Sequence, residues 1–212
     1  NEFGKKSKVL VLGDTLSALA VARSLGRKGI SVIVGVEDSR APLRYSKYAS
    51  RVVGLASYAE EPEKWREDIK KIILEERPDV VIPSSESSFV PFCMNRNYFS
   101  GLAKLAIPDE KGFNDTFHKD KTIAIARELD IPIPESFMGR NKEDLEKFFN
   151  VSSFNSPFML KPVVSKVWRD GYKLEFSAKK VNSLEEIEEY VNDYLPFAPI
   201  LVQKWVPGVG VG

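Results

Sequence analysis

The sequence has few residues that form disulfides or bind transition metals. Its 212 residues include one cysteine, Cys93, and one histidine, His118. A single cysteine excludes an intrachain disulfide, which is typical of proteins of the reducing cytosol. One cysteine and one histidine also exclude a Cys/His metal cluster. The neighbours Phe92 and Met94 indicate a buried core thiol at position 93. We therefore expect a cytoplasmic protein without a Cys/His metal centre.

An excess of charge of one sign and long apolar runs are also missing. The chain has 31 Lys and Arg against 30 Asp and Glu, for a formal net charge of +1. This balance argues against binding to nucleic acid or to a membrane surface. We find no signal peptide, no membrane-spanning run and no internal repeat. With 43% hydrophobic and 29% charged residues, the composition is that of an ordinary globular protein of one large or two small domains.

The first half of the chain alternates buried strands with helices. We predict strands at 8–13, 30–35, 51–55, 79–83 and 103–107, and helices at 16–28, 62–77 and 89–95. Apolar runs bounded by glycine and proline are typical of parallel strands covered on both faces, and strand–helix–strand units form right-handed crossovers. The pattern predicts an α/β, Rossmann-like domain over residues 1–115, a parallel sheet with helices on both faces.

The glycine pattern of dinucleotide-binding proteins is absent from this domain. Gly13 ends the first predicted strand, and Asp14, Thr15, Leu16 and Ser17 follow it instead of a G-x-G-x-x-G sequence. A nicotinamide cofactor is therefore disfavoured.

Two loops of the first half carry polar residues suited to ligand contacts. Ser84, Ser85 and Glu86 follow the strand predicted at 79–83 and precede a helix. Ligands of open parallel sheets bind at the carboxyl ends of strands, where helix N-termini present free N–H groups. Helix capping explains the same residues, with Ser84 or Ser85 as N-cap and Glu86 near the positive helix start. The basic and aromatic loop 38–50 is a second candidate contact, for which plain surface is the simpler interpretation.

The second half is led by helices. We predict helices at 123–129, 141–150 and 183–194, and strands at 158–162, 172–181 and 199–206, which give an α+β domain over residues 116–212. Lys161 ends the apolar strand Phe158-Met159-Leu160. An unpaired buried charge is costly, so this lysine either extends its ammonium into solvent or meets an anion brought from outside.

Three segments of the second half, taken in order, resemble the ATP-grasp superfamily. They are Asp120-Lys121-Thr122, Met159-Leu160-Lys161-Pro162 and residues 201–208. The domain order is similar to that of carbamoyl phosphate synthase large-subunit-like and related carboxylate–amine ligases. In these enzymes a Rossmann-like pre-ATP-grasp domain precedes the first, α+β subdomain of the grasp domain. The resemblance covers nearly the whole chain and implies the N-terminal portion of such a ligase.

The resemblance also implies a nucleotide site. Lys121 and Lys161 would hold the ATP phosphates, since ammonium groups with several donors suit phosphate oxygens. Gln203 would meet the exocyclic amine of adenine, and the backbones of Lys204 and Val206 would bond the purine edge.

The chain departs from the family pattern in three places. The family's phosphate-covering loop is glycine-rich, whereas residues 165–171 contain one glycine. Ser165, Lys166 and Arg169 are the candidate phosphate contacts there, with the two cations compensating by charge. Residues 209–211 offer no carboxylate to the ribose. The magnesium-binding acids of the family would follow Gly212, so we expect no metal ligand in this chain.

The implied function is that of an ATP-dependent ligase. The whole enzyme would phosphorylate a small-molecule carboxylate using ATP and Mg²⁺, and an amine or a thiol would attack the acyl phosphate. This chain alone is expected to be inactive. A non-catalytic adenine-nucleotide-binding module is the alternative, and a Rossmann oxidoreductase is less favoured. The sequence specifies neither the substrates nor the oligomeric state, for which a homodimer is one candidate.

Overall fold

The computed structural model describes residues 7–151, 157–169 and 172–208, without the side chains of 150, 151, 169 and 172. Two compact units, Asn1–Glu110 and Lys111–Gly212, make up the chain. Each unit has its own hydrophobic core. The predicted boundary between residues 115 and 116 falls within a helix, Glu110–Phe117, that the sequence did not predict.

The first unit is built on a five-stranded parallel sheet of order β3-β2-β1-β4-β5. Its elements are β1 (Lys8–Leu12), α1 (Leu16–Arg27), β2 (Ser31–Val36), β3 (Ala49–Gly54), α2 (Pro62–Glu76), β4 (Val80–Pro83), α3 (Glu86–Met94), α4 (Arg96–Phe99) and β5 (Lys104–Leu105).

Alternate residues of β1 go to opposite faces of this sheet. Val9 and Val11 pack with α1, whereas Leu10 and Leu12 pack with α2. Burial on both faces is typical of parallel sheets whose crossovers are helices. The predicted α/β fold class, a parallel sheet covered on both faces, is confirmed for this unit.

Helix α2 presents to the sheet the face that its spacing predicts. Trp65, Ile69, Ile72 and Ile73 are each at most 2% exposed, and their positions form one stripe of a 3.6-residue helix. The Trp65 ring meets that of Phe92 edge to face at 5.2 Å. Each buried side chain of this size contributes about 1.5–3 kcal/mol, so this stripe holds α2 firmly against the sheet.

The second unit is built on a four-stranded antiparallel sheet of order β10-β7-β11-β6, with a separate β8–β9 hairpin. Its elements are α5 (Glu110–Phe117), α6 (Lys119–Glu128), β6 (Ser136–Gly139), α7 (Lys142–Val151), β7 (Phe158–Pro162), β8 (Lys166–Arg169), β9 (Tyr172–Glu175), β10 (Lys179–Val181), α8 (Leu184–Tyr194) and β11 (Ile200–Lys204). The predicted α+β subdomain is confirmed at the level of fold class.

The segment 172–181, predicted as one strand, is two strands with different partners. Strand β9 pairs with β8, whereas β10 pairs with β7. Between them the hydroxyl of Tyr190 donates a hydrogen bond of 2.7 Å to the carbonyl of Ser177. A single continuous strand cannot follow both partners, so the chain breaks its extended run there.

Helices α7 and α8 contribute to the core on one face of the antiparallel sheet. Leu145 of α7 and Ile187 of α8 pack there against Leu160 of β7 and Val202 of β11. Because side chains alternate along a strand, the residues between these core positions point to the opposite face of the sheet.

Candidate functional site

The face of the antiparallel sheet opposite α7 and α8 carries polar residues in its middle. Lys161 of β7, Gln203 of β11 and Ser136 of β6 lie on three neighbouring strands. Gln203 is directly opposite Ser136 on one side, while Lys161 pairs with Leu201 and so lies diagonal to Gln203 on the other. This arrangement places all three side chains on one face of the sheet.

A chain of hydrogen bonds joins the three side chains. The ammonium of Lys161 donates to Oε1 of Gln203 at 2.8 Å, and Nε2 of Gln203 donates to Oγ of Ser136 at 2.9 Å. The Ser136 hydroxyl donates in turn to the carbonyl of Pro134 at 2.6 Å. In the described part of the chain no carboxylate forms an ion pair with Lys161. Its charge therefore has a neutral partner, which leaves it open to an anion.

Lys121 lies in the first turn of α6, which begins before the predicted residue 123. Its ammonium has no hydrogen bond or ion pair with a described residue. It borders a cavity of about 280 Å³ between α6 and the sheet. The lining residues are Asp120, Lys121, Ile123, Ala124, Arg127, Ser136, Phe137, Met138, Arg140 and Leu201.

The structure brings Lys161 and Gln203 into contact. It places Lys121 at the cavity between α6 and the sheet, which is also bordered by the strand partners of Lys161 and Gln203. Ser136 and Leu201, which border this cavity, are the strand partners of Gln203 and Lys161. Lys161 itself does not line the cavity. The convergence of both lysines on one pocket therefore stays a prediction.

The hinge segment, residues 203–206, leaves β11 with some of its backbone already bonded. The N–H of Lys204 donates to the carbonyl of Glu135 at 2.9 Å, and that of Trp205 donates to Pro157 at 3.0 Å. Val206 is 61% exposed, and its N–H has no partner among the described residues. A base edge at this segment would therefore find the carbonyl of Lys204 and the N–H of Val206.

The segment predicted to cover the phosphates forms strand β8 rather than an open loop. Lys166 Nζ lies 3.5 Å from Oε1 of Glu175. The pKa of the Glu175 carboxyl is lowered, first by its hydrogen bond with Lys173 and then by the charge of Lys166. Arg169 ends β8, and its side chain and residues 170–171 lie outside the described residues. The hairpin accounts for the scarcity of glycine here, since strands disfavour it.

Lys119 holds the turn after β7 and was not singled out from the sequence. Its N–H donates to the carbonyl of Val163 at 3.1 Å, and its ammonium donates to Oγ of Ser165 at 3.0 Å. The start of α6 is thereby tied to the turn that follows Lys161. Its position two residues before Lys121 is the signal that could have indicated it.

In the first unit, Ser85 is the N-cap of α3. Its Oγ accepts from the N–H of Ser88 at 3.3 Å, and Oγ of Ser88 accepts from the N–H of Ser85 at 3.3 Å. Ser84 bonds backward, its N–H donating to the carbonyl of Leu12 at 2.8 Å. Glu86 is the first residue of α3. The capping interpretation of Ser85 is thus correct, and it does not exclude a ligand.

A small crevice lies beside Ser85 at the carboxyl ends of β1, β2 and β4. Its volume is about 10 Å³, which is room for about one water molecule. Asp14, Glu37 and Ser85 border it, together with Trp65. The indole Nε1 of Trp65 is buried and has no hydrogen-bond partner among the described residues. Ser84 and Glu86 do not border the crevice.

Within residues 7–151, 157–169 and 172–208, no three His, Cys, Asp or Glu side chains are grouped so that they could hold a metal ion. In the same residues no helix combines the length and apolar character needed to cross a membrane.

The chain matches no protein-family model. It is 24% identical over 160 residues to the formate-dependent phosphoribosylglycinamide formyltransferase of Pelobacter propionicus, a match covering 75% of this chain and 37% of that protein.

Solved structures share the fold of nearly the whole chain. An L-amino acid ligase of Bacillus licheniformis has a TM-score of 0.70 at 17% identity, over 97% of this chain and 45% of the ligase. An N5-carboxyaminoimidazole synthase of Aspergillus clavatus, in complex with ADP and 5-aminoimidazole ribonucleotide, has a TM-score of 0.67 at 20% identity, over 95% of this chain and 47% of the synthase.

The chain spans less than half the length of each of these proteins. The solved structures are ATP-grasp carboxylate–amine ligases. The resemblance found in the sequence is therefore confirmed at the level of fold: the chain has the fold of the N-terminal part of an ATP-grasp ligase.

Proposed function

We propose that this chain is the N-terminal portion of a cytoplasmic ATP-dependent ligase that activates a small-molecule carboxylate as an acyl phosphate for attack by an amine or a thiol. The observation that carries the proposal is the contact of Lys161 with Gln203 beside the hinge segment. This contact places the Lys161 ammonium, which can bind phosphate, and the Gln203 amide oxygen, which can accept from a base, on one face of the sheet. We take residues 1–115 as the pre-ATP-grasp domain and 116–212 as the first subdomain of the grasp domain.

The nucleotide would lie along this face. The exocyclic amine of adenine would donate to Oε1 of Gln203 and to the carbonyl of Lys204, and the N–H of Val206 would donate to a ring nitrogen. The ammonium of Lys161 would meet the phosphates, where a charge-assisted hydrogen bond is about twice as strong as a neutral one. Lys121 would reach the same phosphates from α6.

The strand β8 and the turn before it would border the phosphates. Ser165, held by Lys119 at 3.0 Å, would offer its hydroxyl, and Lys166 and Arg169 would add charge. This assignment rests on the position of the segment directly after Lys161 and Pro162 in the sequence.

The carboxylate substrate would bind to the first unit near Ser84, Ser85 and Glu86. Its support is the crevice at the carboxyl ends of the strands, the general place of ligands in open parallel sheets. The matched proteins are named for phosphoribosylglycinamide, carboxyaminoimidazole and L-amino acids. Because these names all contain an amino compound, an amine is favoured over a thiol as the nucleophile.

Magnesium does not fit the described residues, since no acidic cluster is found among them. Phosphoryl transfer depends on metal ions and on the positioning of the phosphates. We therefore assign to this chain the binding and orientation of ATP, and we expect its metal ligands outside the described residues.

The test compares three ligands by titration calorimetry: ATP with Mg²⁺, ADP, and NADH. Binding of ATP and ADP without NADH supports the proposed site. Binding of NADH without ATP would instead favour the oxidoreductase. A longer protein that contains this chain and binds ATP without ever turning it over would favour the non-catalytic module.

A further inference from the structure

The geometry points to Ser136 as a positioning residue that fixes the side-chain amide of Gln203 and thereby makes the site select adenine over hypoxanthine. This inference rests on the proposed nucleotide site and goes beyond it, because Ser136 would act on the base only through Gln203. Its basis is the hydrogen-bond chain from Lys161 to Pro134.

The amide of Gln203 lies where water cannot easily satisfy it. The residue is 7% exposed, and Ser136 stands directly opposite it on β6. An unsatisfied buried amide costs about 1–3 kcal/mol. The protein groups around this amide, rather than solvent, therefore decide which way its oxygen and nitrogen point.

At the Lys161 end of the hydrogen-bond chain, the amide of Gln203 must present an acceptor. A lysine ammonium has three donors and no acceptor. The amide atom 2.8 Å from Nζ must therefore be the oxygen, Oε1. If the amide were reversed, Nε2 would face the ammonium, and two donors would oppose each other.

The Ser136 end demands a donor. A serine hydroxyl carries one proton, and that of Ser136 is given to the carbonyl of Pro134 at 2.6 Å. Towards Gln203 the hydroxyl can only accept, so the amide atom 2.9 Å away must be Nε2. The two ends thus impose the same orientation independently. Reversing the amide would break the contact with Lys161, and the contact with Ser136 could be kept only if the hydroxyl gave up its bond to the carbonyl of Pro134.

A fixed amide makes a directional test of the base. A carbonyl oxygen has two lone pairs, so Oε1 of Gln203 can accept from Lys161 and from one further donor. The exocyclic amine of adenine supplies that donor, whereas hypoxanthine has a carbonyl at the same position. Two acceptors would then face each other. Sites that hold a fixed hydrogen-bonding group reject analogues lacking the matching group.

The first experiment measures ADP and IDP (inosine diphosphate) affinity for wild type, Ser136→Ala and Ser136→Thr by titration calorimetry. We expect wild type to prefer ADP. Ser136→Ala should lower the ADP-to-IDP preference by about tenfold, the scale of one lost hydrogen bond. Ser136→Thr retains the hydroxyl and should retain the preference. An unchanged preference in Ser136→Ala would overturn the positioning role.

A second experiment separates positioning from a merely structural effect of Ser136. In Gln203→Glu the carboxylate has two acceptor oxygens and no orientation to lose. Adding Ser136→Ala to Gln203→Glu should therefore leave the ADP-to-IDP preference unchanged. If Ser136→Ala lowers the ADP-to-IDP preference of Gln203→Glu as much as it lowers that of wild type, Ser136 acts through the strand and not through the amide of Gln203. That result would refute the inference. If wild type binds ADP but shows no preference over IDP, the inference fails while the nucleotide site stands. If wild type binds neither, both fail.

Discussion

The ammonium of Lys161 and the amide oxygen of Gln203 lie 2.8 Å apart, diagonally across β7 and β11. The partner is neutral, so the lysine is held in place but its charge is not cancelled. Lys166 differs, because Oε1 of Glu175 lies 3.5 Å from its ammonium. A held cation with a neutral partner suits an incoming phosphate, since phosphate need not displace a carboxylate.

Simultaneous loss of Lys121 and Lys161 should show energetic coupling. If both ammonium groups contact the phosphates of one nucleotide, Lys121→Met and Lys161→Met act on the same charged group. We then expect an interaction energy of about 0.5–3 kcal/mol in a double-mutant cycle of ADP binding. Calorimetry on the four proteins provides the measurement. Strictly additive effects would assign the two lysines to separate sites.

Replacing Gly13 should destabilise the first unit. Gly13 has φ = +138°, and a Cβ there would lie 3.1 Å from Oγ of Ser85, the N-cap of α3. We expect Gly13→Ala to cost about 1–3 kcal/mol of unfolding free energy, the scale of a residue held in disfavoured backbone. Urea denaturation provides the value.

Gly54→Ala is the matched control for this substitution. Gly54 ends β3, and a Cβ there meets nothing within 4 Å. A change below about 0.5 kcal/mol is expected, as for most surface substitutions. Equal effects at the two positions would contradict the tight contact between β1 and α3.

Acidification should weaken the ion pairs around Glu76. Hydrogen bonds from Lys8 and then Arg51 hold the pKa of Glu76 below its usual value. A carboxyl whose folded-state pKa is lowered stabilises the fold above its unfolded-state pKa, and this contribution is lost as pH falls through the folded-state pKa. In Glu76→Gln, the stability lost between about pH 5 and pH 2 should be smaller than in wild type by up to about 1 kcal/mol.

Urea midpoints at neutral and acidic pH measure this difference. Glu63→Gln is the control, because the Glu63 side chain is 89% exposed and its ion pair with Arg66 spans 3.8 Å. This variant should lose stability on acidification as wild type does. If Glu76→Gln loses as much stability on acidification as wild type does, the ion pairs of Glu76 do not contribute to the pH dependence.

Local patterns are sufficient to predict α2 and β7. The spacing of Trp65, Ile69 and Ile72 specifies a buried helical stripe, and the apolar run before Lys161 specifies a short strand; burial in both follows from periodicity alone. The resemblance of the second half to ATP-grasp proteins adds the assignment of Lys161 and Gln203 to one nucleotide site, whereas their direct hydrogen bond is seen only in the structure.

The remainder depends on contacts between distant parts of the sequence. Helix α6 begins at Lys119 rather than at the predicted residue 123. At this first residue, the N–H of Lys119 donates a hydrogen bond to the carbonyl of Val163, which is distant in the sequence. Ser136 reaches Gln203 only through the register of β6 against β11. Both contacts are set by how strands pair, and a single sequence read locally does not determine strand pairing.

Nucleotide turnover should be absent from this chain by itself. No acidic cluster for a metal exists among the described residues, and metal ions with fixed positioning supply most of the acceleration in phosphoryl transfer. Phosphate release from ATP and Mg²⁺ should therefore not exceed the buffer rate. Steady release that Lys161→Met abolishes would contradict the claim that this chain only binds and orients the nucleotide.

The central claim is that Lys161 belongs to an ATP site. Its most direct test is calorimetric titration of ATP and Mg²⁺ into wild type, Lys161→Met and the control Lys147→Met, whose lysine side chain is 71% exposed on α7. We predict that Lys161→Met weakens binding by about 1.5–3 kcal/mol, the scale of a hydrogen bond to a charged group, whereas Lys147→Met binds as wild type does. Equal affinity of wild type and Lys161→Met would contradict the account.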